Sequence, residues 1–452
     1  MNKTKPLLHI LAPIVLLTVQ SSLWAFVWIY FYSKNIPNAF QWKGELLLAA
    51  LYFVILFVIT NFYGGLRIDH RSASELGLSC MIALLFANTV TYAQTCLISA
   101  AIVTLIPILA MTAAQCVLIW MWAALVNRIY GRAVPPLMLL MLYDGSKAAK
   151  RLTQKLITRS AKYQITQSLR VTGDSFDSVC PHILGFEAVI LCDIPFELRK
   201  KLQRFCFINS IPTYTVPGIE DILTRSSVET NLLDTPLLLS RNEGLINGHR
   251  AIKRTLDILL SAVALIVLSP IALLISIAIK LCDGGSIVFS QERLTIGGRR
   301  FMLHKFRSMR ADAEENGAQL STQGDNRITV VGKVMRPLRL DEIPQLINIL
   351  KGDMSIVGPR PERPEMAEEY MEDIPEFAYR LKVKAGLTGY AQVYGNYNTD
   401  PWDKLLMDLV YISSCSLALD IKIILMTVKT IFQRERTYGI ADGNATPRRE
   451  RM

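Results

Sequence analysis

The sequence predicts three structural parts in order: a membrane α-helical bundle, a Rossmann-like α/β domain, and a monotopic α/β domain with a re-entrant membrane helix. Three observations support this architecture. Hydrophobic residues make up 51% of the 452 residues, which is a high fraction for a soluble protein. Long uncharged runs fill most of the first third of the chain. Further on, short apolar runs alternate with amphipathic ones, as is typical of domains with a parallel sheet.

The first part, residues 1–132, holds four candidate transmembrane helices. Leu7–Tyr32 and Leu46–Phe62 are each long and apolar enough to span a bilayer. Leu76–Val126 contains no charged residue, and its length of about fifty residues is enough for two helices. We expect the turn between these two near Gln94–Ala101. No small-residue cleavage site follows the first run, so it predicts an anchor and not a cleaved signal peptide.

Basic residues predict the orientation of the bundle, because cytoplasmic loops carry an excess of Lys and Arg. Such residues precede the first span and follow the second and fourth spans: Lys3, Lys5, Arg67, Arg71, Arg128 and Arg132. The pattern favours a bundle whose two ends both lie in the cytoplasm.

The net charge of +11 favours an anionic partner. No DNA-binding motif is present, so we expect no nucleic acid; membrane lipids and phosphorylated substrates fit better. The eight cysteines are scattered and form no CxxC pair, which argues against a disulfide framework or a zinc site.

The second part, residues 133–245, reads as a small Rossmann-like domain. The predicted strands and helices are Leu137–Leu142, Ser146–Arg159, Glu187–Cys192, Phe196–Asn209 and Pro212–Val216. The GxGxxG fingerprint of dinucleotide sites is absent from the first turn. Tyr143 and Lys147 do have the spacing of short-chain dehydrogenases, so a redox enzyme stays open as an alternative. A structural or regulatory module is the favoured interpretation.

The third part, residues 250–436, begins with an apolar run, Ile258–Ile279, which is long enough to be a fifth transmembrane helix. Basic residues flank both of its ends, and Ser269-Pro270 interrupts its middle. Proline removes a backbone donor, so a helix bends or breaks there. We therefore predict a re-entrant helix, residues 254–281, in which the Ser269 hydroxyl satisfies a freed carbonyl. A polar tail, residues 437–452, follows the domain.

An acid pair, Asp341-Glu342, lies at the start of a predicted amphipathic helix whose apolar face is formed by Ile343, Leu346, Ile347 and Leu350. Arg336 precedes the pair and Arg360 follows it. A carboxylate between arginines can attack phosphorus while the arginines neutralise phosphate oxygens and a divalent cation binds the leaving phosphate. An ordinary surface helix with a few ion pairs is the alternative for these residues alone.

Two further groups are candidates for substrate binding. Lys305 ends a predicted strand, Phe301–Lys305, and Arg307 follows it. The two could hold a phosphate, and a solvated basic strand is the alternative for these residues alone. Thr388 and Gln392 belong to a segment whose glycines predict a tight backbone turn that could lie against a nucleotide.

Six stretches, in this order, make residues Lys253 to about Arg434 similar to the catalytic domain of the bacterial sugar transferases, which are monotopic polyprenyl-phosphate hexose-1-phosphate transferases. They are KRTLDILLS (253–261), LSPIALL (268–274), FMLHKFRSM (301–309), LDEIPQLINILKGDMSIVGPRPE (340–362), KAGLTGYAQV (384–393) and LDIKIILMTV (419–428). With four transmembrane helices in front, the chain resembles the large form of this family.

The resemblance implies transfer of a sugar-1-phosphate from a UDP-sugar to undecaprenyl phosphate in the bacterial cytoplasmic (inner) membrane, with the α/β catalytic domain on the cytoplasmic face. It implies that Asp341 is the nucleophile, forming a covalent phosphosugar intermediate, and that Asp341 and Glu342 hold Mg²⁺. Substrate phosphates would be bound by Arg336, Arg360, Lys305, Arg307, Thr388 and Gln392. Such enzymes begin the synthesis of capsule, exopolysaccharide or O-antigen, and relatives imply a possible homodimer.

The chain departs from the family pattern at two positions. Arg339 stands where many relatives have a small polar residue, and Asn396 stands where relatives often have arginine. Two other functional classes remain as alternatives. One is a membrane-anchored, NAD-dependent nucleotide-sugar dehydratase or epimerase, for which the glycine fingerprint is missing. The other is a non-enzymatic scaffold of a polysaccharide assembly complex, against which the intact acid pair argues.

Overall fold

The computed structural model of the chain describes residues 4–35, 42–68, 71–157, 162–172, 176–240, 247–310, 325–396 and 399–433. The predicted polar tail, residues 437–452, lies outside these ranges. The chain divides into two compact units, Met1–Val216 and Pro217–Met452.

Four long helices begin the first unit. They are α1 (Thr4–Val27, continued by a π-helical turn at Trp28–Tyr32), α2 (Trp42–Phe62), α3 (Ala73–Ser99) and α4 (Ile106–Ala133). Each is long and apolar enough to cross a membrane, which confirms the four predicted candidate spans. Helix α3 begins with a capping box in which Ser72 and Glu75 satisfy each other's backbone donors.

The turn between α3 and α4 lies later than predicted. The polar residues Gln94 and Thr95 remain helical, and the Thr95 hydroxyl donates to the Thr91 carbonyl at 2.8 Å. Helix α3 ends where Ala100 adopts a left-handed conformation with φ of 49°. The expected turn at Gln94–Ala101 was therefore placed too early, because a threonine can bond to its own helix and so does not mark an end.

Polar side chains join the four helices inside the bundle. The Tyr52 hydroxyl of α2 donates to Asn88 Oδ1 of α3 at 2.8 Å. Asn88 Nδ2 in turn donates to Thr112 Oγ1 and Gln115 Oε1 of α4 at 2.8 and 2.9 Å. Gln115 Nε2 donates to the Gln20 carbonyl of α1 at 3.1 Å. Such bonds hold membrane helices in one register, where hydrophobic burial between helices is a weak force.

A four-stranded α/β domain completes the first unit. Its elements are β1 (Leu137–Tyr143), α5 (Ser146–Ile157), β2 (Tyr163–Arg170), α6 (Phe176–Ile183), β3 (Ala188–Cys192), α7 (Phe196–Ile208) and β4 (Thr213–Thr215). The strand order is β2-β1-β3-β4, and every pairing is parallel. The predicted parallel sheet is confirmed. Strand β2 was missed because its residues are alternately half-buried and exposed and only two of them, Ile165 and Leu169, are aliphatic.

The second unit starts with a short helix and a hairpin that precede a long membrane-type helix: α8 (Ile219–Arg225), β5 (Val228–Leu232), β6 (Thr235–Leu239) and α9 (Asn247–Asp283). A second hairpin and a parallel strand pair form its sheets: β7 (Val288–Leu294) with β8 (Arg300–Phe306), and β9 (Met354–Val357) with β10 (Ala385–Thr388). The remaining helices are α10 (Val330–Met335), α11 (Gln345–Lys351), α12 (Pro364–Asp373), α13 (Tyr390–Tyr394), α14 (Pro401–Ser413) and α15 (Leu417–Ile431).

Helix α9 runs through Ser269-Pro270 without interruption, so the predicted break in the helix is wrong. Pro270 lacks the N–H that would bind the Ile266 carbonyl, and the Ser269 hydroxyl donates to that carbonyl at 2.8 Å. The predicted compensation by Ser269 is thus present, and it lets the helix continue past the proline. Most of the apolar side chains of α9 are exposed.

Both halves of α9 contact the body of the second unit. At its start, Lys253 Nζ donates to the Val357 carbonyl at 3.1 Å, and Asp257 Oδ1 accepts the Ile356 N–H at 3.1 Å. Near its end, Ile275 and Ile279 are buried in the apolar core beneath the acid pair. The helix is therefore fixed at two places to the elements that carry the candidate site.

The core beneath the acid pair consists of residues from β8, α10, α11 and β9, among them Phe301, Met335, Leu346 and Ile349. One prediction for this face was wrong: Ile347 is 43% exposed. The chain is a 3₁₀ turn at Leu340–Glu342 before it becomes α11. This tighter winding turns Ile349 into the core and Ile347 toward the surface.

Candidate functional site

Asp341 and Glu342 lie in the 3₁₀ turn that leads into α11, and strand β8 packs against this turn. Arg339, directly before the turn, adopts a left-handed conformation with φ of 55°. A non-glycine residue in that conformation is uncommon and often marks a functional site. The conformation of Arg339 changes the direction of the backbone just before the acid pair.

Glu342 is buried and held by two cations. Arg360 Nη2 donates to Glu342 Oε1 at 3.0 Å, and Lys305 Nζ lies 3.7 Å from the same oxygen. Burial raises the pKa of Glu342, but the combined positive charge of Arg360, Lys305 and Arg339 outweighs it and lowers the pKa to about 2. This carboxylate is therefore ionised at any physiological pH.

Asp341 is in a different environment. Within the described part of the chain it makes no hydrogen bond and no ion pair shorter than 4 Å. Burial and the neighbouring charge of Glu342 raise its pKa, while Lys305, Arg336 and Arg360 pull it down. Glu342 is thus held ionised by neighbouring cations, whereas Asp341 is available for reaction.

Lys305 titrates lower than an ordinary lysine. Burial lowers its pKa, the charges of Glu342 and Asp341 raise it, and those of Arg360 and Arg293 lower it, with a net value of about 8. Strand β8 carries this residue into the acid pair. Lys305, a candidate phosphate ligand from the sequence, thus lies within ion-pair distance of Glu342, at 3.7 Å.

The remaining predicted arginines differ in position. The positive charge of Arg336 lowers the pKa of Asp341, and its Nη1 atom is buried with no hydrogen bond to the described residues. Such an atom is costly to bury unless a ligand or water binds it. Arg307 is buried too, and its guanidinium lies against Gly285.

Thr388 contacts the loop that carries Arg360, and neither Thr388 nor Gln392 hydrogen bonds to the acid pair within the described residues. The Thr388 carbonyl accepts the Gly358 N–H at 2.9 Å, and its hydroxyl hydrogen bonds to that of Thr427 at 2.7 Å. Gln392 Nε2 donates to the Leu387 carbonyl at 3.3 Å. A Cβ on Gly386 would lie 2.1 Å from Gly358 N, so only glycine permits this close approach.

A buried ion network behind Arg360 was not predicted from the sequence. Arg380 Nε donates to Asp408 Oδ2 at 2.6 Å, and Arg380 Nη2 donates to the Arg360 carbonyl at 3.0 Å. Glu362 accepts from both Arg380 and Lys404. Burial raises the pKa of Glu362, but Lys404, Arg380 and Arg293 lower it to about 2. The network fixes the backbone of Arg360, whose side chain holds Glu342.

The acid pair fits a magnesium ion that is shared with substrate. Magnesium is usually held by one or two carboxylates together with substrate phosphates. Asp341 has free carboxylate oxygens, whereas Glu342 has Oε1 engaged by two cations. No group of three or more His, Cys, Asp or Glu side chains converges elsewhere among the described residues. The donor set is thus too small for a site made of protein alone, and it suits one completed by phosphates.

The α/β domain of the first unit shows a feature that opposes dinucleotide binding. Gly145 follows β1, where a pyrophosphate would lie against the start of α5. An Asp193 carboxylate oxygen occupies this space, 2.1 Å from where a Cβ on Gly145 would be. A carboxylate there takes the place of a phosphate and repels one.

Comparisons with known proteins agree with this site. Residues 248–434 match the model of the bacterial sugar transferase family. The chain is 40% identical over 242 residues to the UDP-N-acetylgalactosamine-undecaprenyl-phosphate N-acetylgalactosaminephosphotransferase of Aeromonas hydrophila, covering 53% of this chain and 56% of that protein. It is 36% identical over 234 residues to the UDP-glucose:undecaprenyl-phosphate glucose-1-phosphate transferase of Escherichia coli, covering 50% of each.

A third relative is covered more fully. The chain is 38% identical over 191 residues to the UDP-glucose:undecaprenyl-phosphate glucose-1-phosphate transferase of Caulobacter vibrioides, covering 41% of this chain and 72% of that protein. In the first two relatives the match spans about half of the protein.

Proposed function

The chain belongs to the bacterial sugar transferase family, and on that basis we propose that it transfers a sugar-1-phosphate from a UDP-sugar to undecaprenyl phosphate and releases UMP. Both substrates appear in the names of the relatives described above. The observation in this chain that carries the proposal is the division of the acid pair, with Glu342 held by Arg360 and Lys305 and Asp341 left without such a partner.

The division of the acid pair suits attack by Asp341 on phosphorus. An Asp341 oxygen forms a bond to the β-phosphorus of the UDP-sugar, and the bond from that phosphorus to the bridging oxygen breaks, so that UMP leaves with the electron pair. An oxygen of undecaprenyl phosphate then attacks the same phosphorus and displaces the Asp341 carboxylate. The products are undecaprenyl-diphospho-sugar and an unchanged enzyme.

The cations around the acids bind the charge of the phosphates. Arg336 has a buried, unbonded Nη1 atom beside Asp341, and guanidinium groups match phosphate oxygens well. Arg360 and Lys305 hold Glu342 ionised, which fixes the geometry of the pair. Lys305, with its pKa of about 8, can also exchange a proton near neutral pH.

We include Mg²⁺ in the proposal, held by Asp341 and Glu342 together with the diphosphate. When bound, the cation would neutralise charge on the leaving phosphate. The residues of this chain prepare the site: Glu342 remains ionised because of Arg360, and the Arg380 network holds the loop on which Arg360 lies.

The lipid acceptor requires the site to lie close to a membrane, and α9 can hold it there. Its exposed apolar surface is suited to the hydrocarbon region, while both halves of the helix contact the catalytic body. We propose that α9 enters the bilayer from the cytoplasmic face of the inner membrane and does not cross it. Contacts at both halves support this, because a crossing helix would carry one end away from the domain by the membrane thickness of about 30 Å.

The test is release of UMP. Protein purified in nanodiscs is incubated with Mg²⁺, undecaprenyl phosphate and a panel of UDP-sugars that includes UDP-glucose and UDP-N-acetylgalactosamine. We expect UMP from at least one sugar and none from the Asp341→Asn variant. Release of UDP would contradict the mechanism, because it means transfer of the sugar without its phosphate. Full activity in the Asp341→Asn variant would exclude Asp341 as the nucleophile.

A further inference from the structure

Gln345 is buried beside the acid pair with a hydrogen-bond donor that no described residue uses. It is the first residue of α11, three positions after Glu342, and only 3% of its surface is exposed. Its Nε2 atom is buried and has no hydrogen-bond partner in the described part of the chain. A buried amide donor without an acceptor costs free energy, and most such atoms in proteins have a partner. The side chain is therefore suited to a ligand that brings its own acceptor.

Two neighbours along the helix define the position of Gln345. Residues three apart in a 3₁₀ turn or in an α-helix lie on the same side. Glu342 precedes Gln345 by three positions, and its Oε1 lies 3.7 Å from Lys305 Nζ of β8. Asn348 follows by three positions, and its Nδ2 donates to the Met302 carbonyl of β8 at 2.7 Å. Gln345 therefore lies between these two contacts, on the side that faces the strand carrying Lys305.

Asn348 shows how an amide with a structural role is bound at this surface. Its Oδ1 accepts the His304 N–H at 3.1 Å, and its Nδ2 donates to the Met302 carbonyl. Both ends of the Asn348 amide thus bind the backbone of β8. Gln345 carries the same chemical group one turn closer to Asp341, and its donor makes no such bond to β8. Contact with the strand therefore explains the amide of Asn348 and not that of Gln345.

A second unused donor comes from Arg336. This residue directly follows α10, which packs against the turn that holds the acid pair. Its Nη1 atom is buried and unbonded among the described residues, and its charge acts on Asp341. The β-phosphorus of a UDP-sugar carries two non-bridging oxygens, besides the sugar oxygen and the bridging oxygen. Two elements thus supply two donors near Asp341, one for each non-bridging oxygen.

The charge around the acids favours an anionic acceptor. Four basic side chains act on the acid pair: Lys305, Arg336, Arg339 and Arg360. Four cations against two acids leave an excess of two positive charges when all six groups are ionised. A neutral sugar hydroxyl would leave this excess uncompensated, whereas a phosphoryl oxygen is a charged acceptor, to which hydrogen bonds are shorter and stronger. The charge thus favours a phosphoryl oxygen as the acceptor for Gln345.

We propose that Gln345 Nε2 donates a hydrogen bond to one non-bridging oxygen of the β-phosphorus while Asp341 attacks, and that Arg336 Nη1 binds the other. The inference rests on the proposed function. In phosphoryl transfer, negative charge is spread over the oxygens that are neither attacking nor leaving. A fixed donor in a buried site stabilises that charge. Gln345 keeps its proton throughout, and the bonds that change are those from phosphorus to Asp341 and to the bridging oxygen.

Removing the donor while keeping the length of the side chain tests the inference. In full-length Gln345→Met we expect kcat for UMP release to fall by about 10²- to 10³-fold, as for other transition-state donors. The unfolding temperature without substrate should not fall, since the lost donor is unbonded in the described chain. Asn348→Leu is the control for a structural amide, and it should unfold at a lower temperature because both bonds to β8 are lost. Release of UMP by Gln345→Met at the wild-type rate would refute the inference.

Two further measurements identify the acceptor. Gln345→Glu has the same shape but replaces the donor with a charged acceptor, so it should release UMP no faster than Gln345→Met; an active Gln345→Glu variant would overturn the assigned bond. Inorganic pyrophosphate with Mg²⁺ probes binding without the reaction. We expect it to raise the unfolding temperature of the wild type, and to raise that of Gln345→Met by less than half as much. Equal shifts would contradict the inference, whereas a wild type that shows this difference but releases no UMP would contradict only the proposed function.

Discussion

At the scale of single residues, the two adjacent acids have opposite effects on the folded state. Glu342 gains from Arg360 and Lys305, and its pKa is far below the usual range. Asp341 has no such partner, and burial beside Glu342 raises its pKa. A carboxyl group with a raised pKa in the folded state opposes folding when it is ionised. Reactivity at Asp341 is therefore maintained at some expense of stability.

This difference predicts opposite shifts in stability for two similar variants. In the absence of Mg²⁺, Asp341→Asn should unfold at the same temperature as the wild type or higher, since it removes a like charge. Glu342→Gln should be less stable by about 3 kcal/mol, since it leaves buried cations unpaired. Thermal unfolding in detergent with a chelator measures both. Equal destabilisation by the two variants would contradict the assigned roles.

The buried carboxylate of Glu362 predicts a dependence of stability on pH. Its pKa falls from an ordinary value of 4.5 to about 2 on folding, so it stabilises the fold above about pH 4.5 and loses this effect as the pH falls toward 2. Glu362→Gln should cost up to about 3 kcal/mol near pH 7. The difference between variant and wild type should shrink when unfolding is measured at about pH 3. A difference that is constant with pH would show that Glu362 is not ionised in the folded state.

Sequence reasoning found the acid pair and missed the network behind it, for a physical reason. Asp341 and Glu342 are consecutive residues in a stretch that resembles the family, so their proximity can be predicted without knowledge of the fold. Glu362 lies in a loop, Arg380 in a 3₁₀ segment (Pro375–Lys382), and Lys404 and Asp408 in α14. The packing of α14 against this 3₁₀ segment brings them together. No local pattern indicates such a contact.

At the scale of elements, apolar patterns predicted most of the fold. The four N-terminal helices and the strands β1 and β3 consist of long or strongly apolar runs, which is a local property. Strand β2 was missed because its apolar residues lie among polar ones, and the hairpin β5–β6 because its strands are only five residues long and Pro236 lies within β6. The break in α9 was predicted from Pro270 alone, and the backbone remains helical there because Ser269 binds the freed carbonyl.

Helix α9 gives a prediction about topology. Cys282, at its end, is exposed, and we expect it to lie on the cytoplasmic side. A membrane-impermeant thiol reagent should label it in permeabilised cells and not in intact ones, in a chain that keeps no other cysteine. The control is Ile102→Cys in the same background, since Ile102 is 92% exposed in the turn after α3 and should be labelled from outside. Labelling of Cys282 in intact cells would mean that α9 crosses the membrane.

At the scale of the whole molecule, Lys162 links the α/β domain of the first unit to the helical bundle. Lys162 Nζ donates to the carbonyls of Ile68 and Arg71 at 2.6 and 2.5 Å. It also lies 5.1 Å from the centre of the Tyr130 ring. These three contacts join one cation to the connection between α2 and α3 and to α4, and they help to orient the domain on the bundle.

Replacement of Lys162 should weaken the attachment of the α/β domain to the helical bundle without unfolding the domain. We expect Lys162→Met to increase proteolytic cleavage near Val134-Pro135-Pro136, between α4 and β1, by several-fold, because a cation bound to two carbonyls is lost. Lys150→Met, a lysine on the exposed side of α5, is the matched control and should cleave at the wild-type rate. Unchanged cleavage in Lys162→Met would show that other contacts hold the domain.

The exposed apolar surface of α9 has a practical meaning for truncated forms of this protein. Deleting residues 1–216 removes all four N-terminal helices, yet the remaining chain keeps thirteen exposed aliphatic side chains on α9, among them Val263, Ile266 and Leu274. Such a fragment cannot dissolve in buffer as a free domain, and it will need detergent or lipid at every step of its purification. Under the proposed function, the same surface would confine the protein to two-dimensional diffusion, in which it would meet a lipid substrate by lateral encounter.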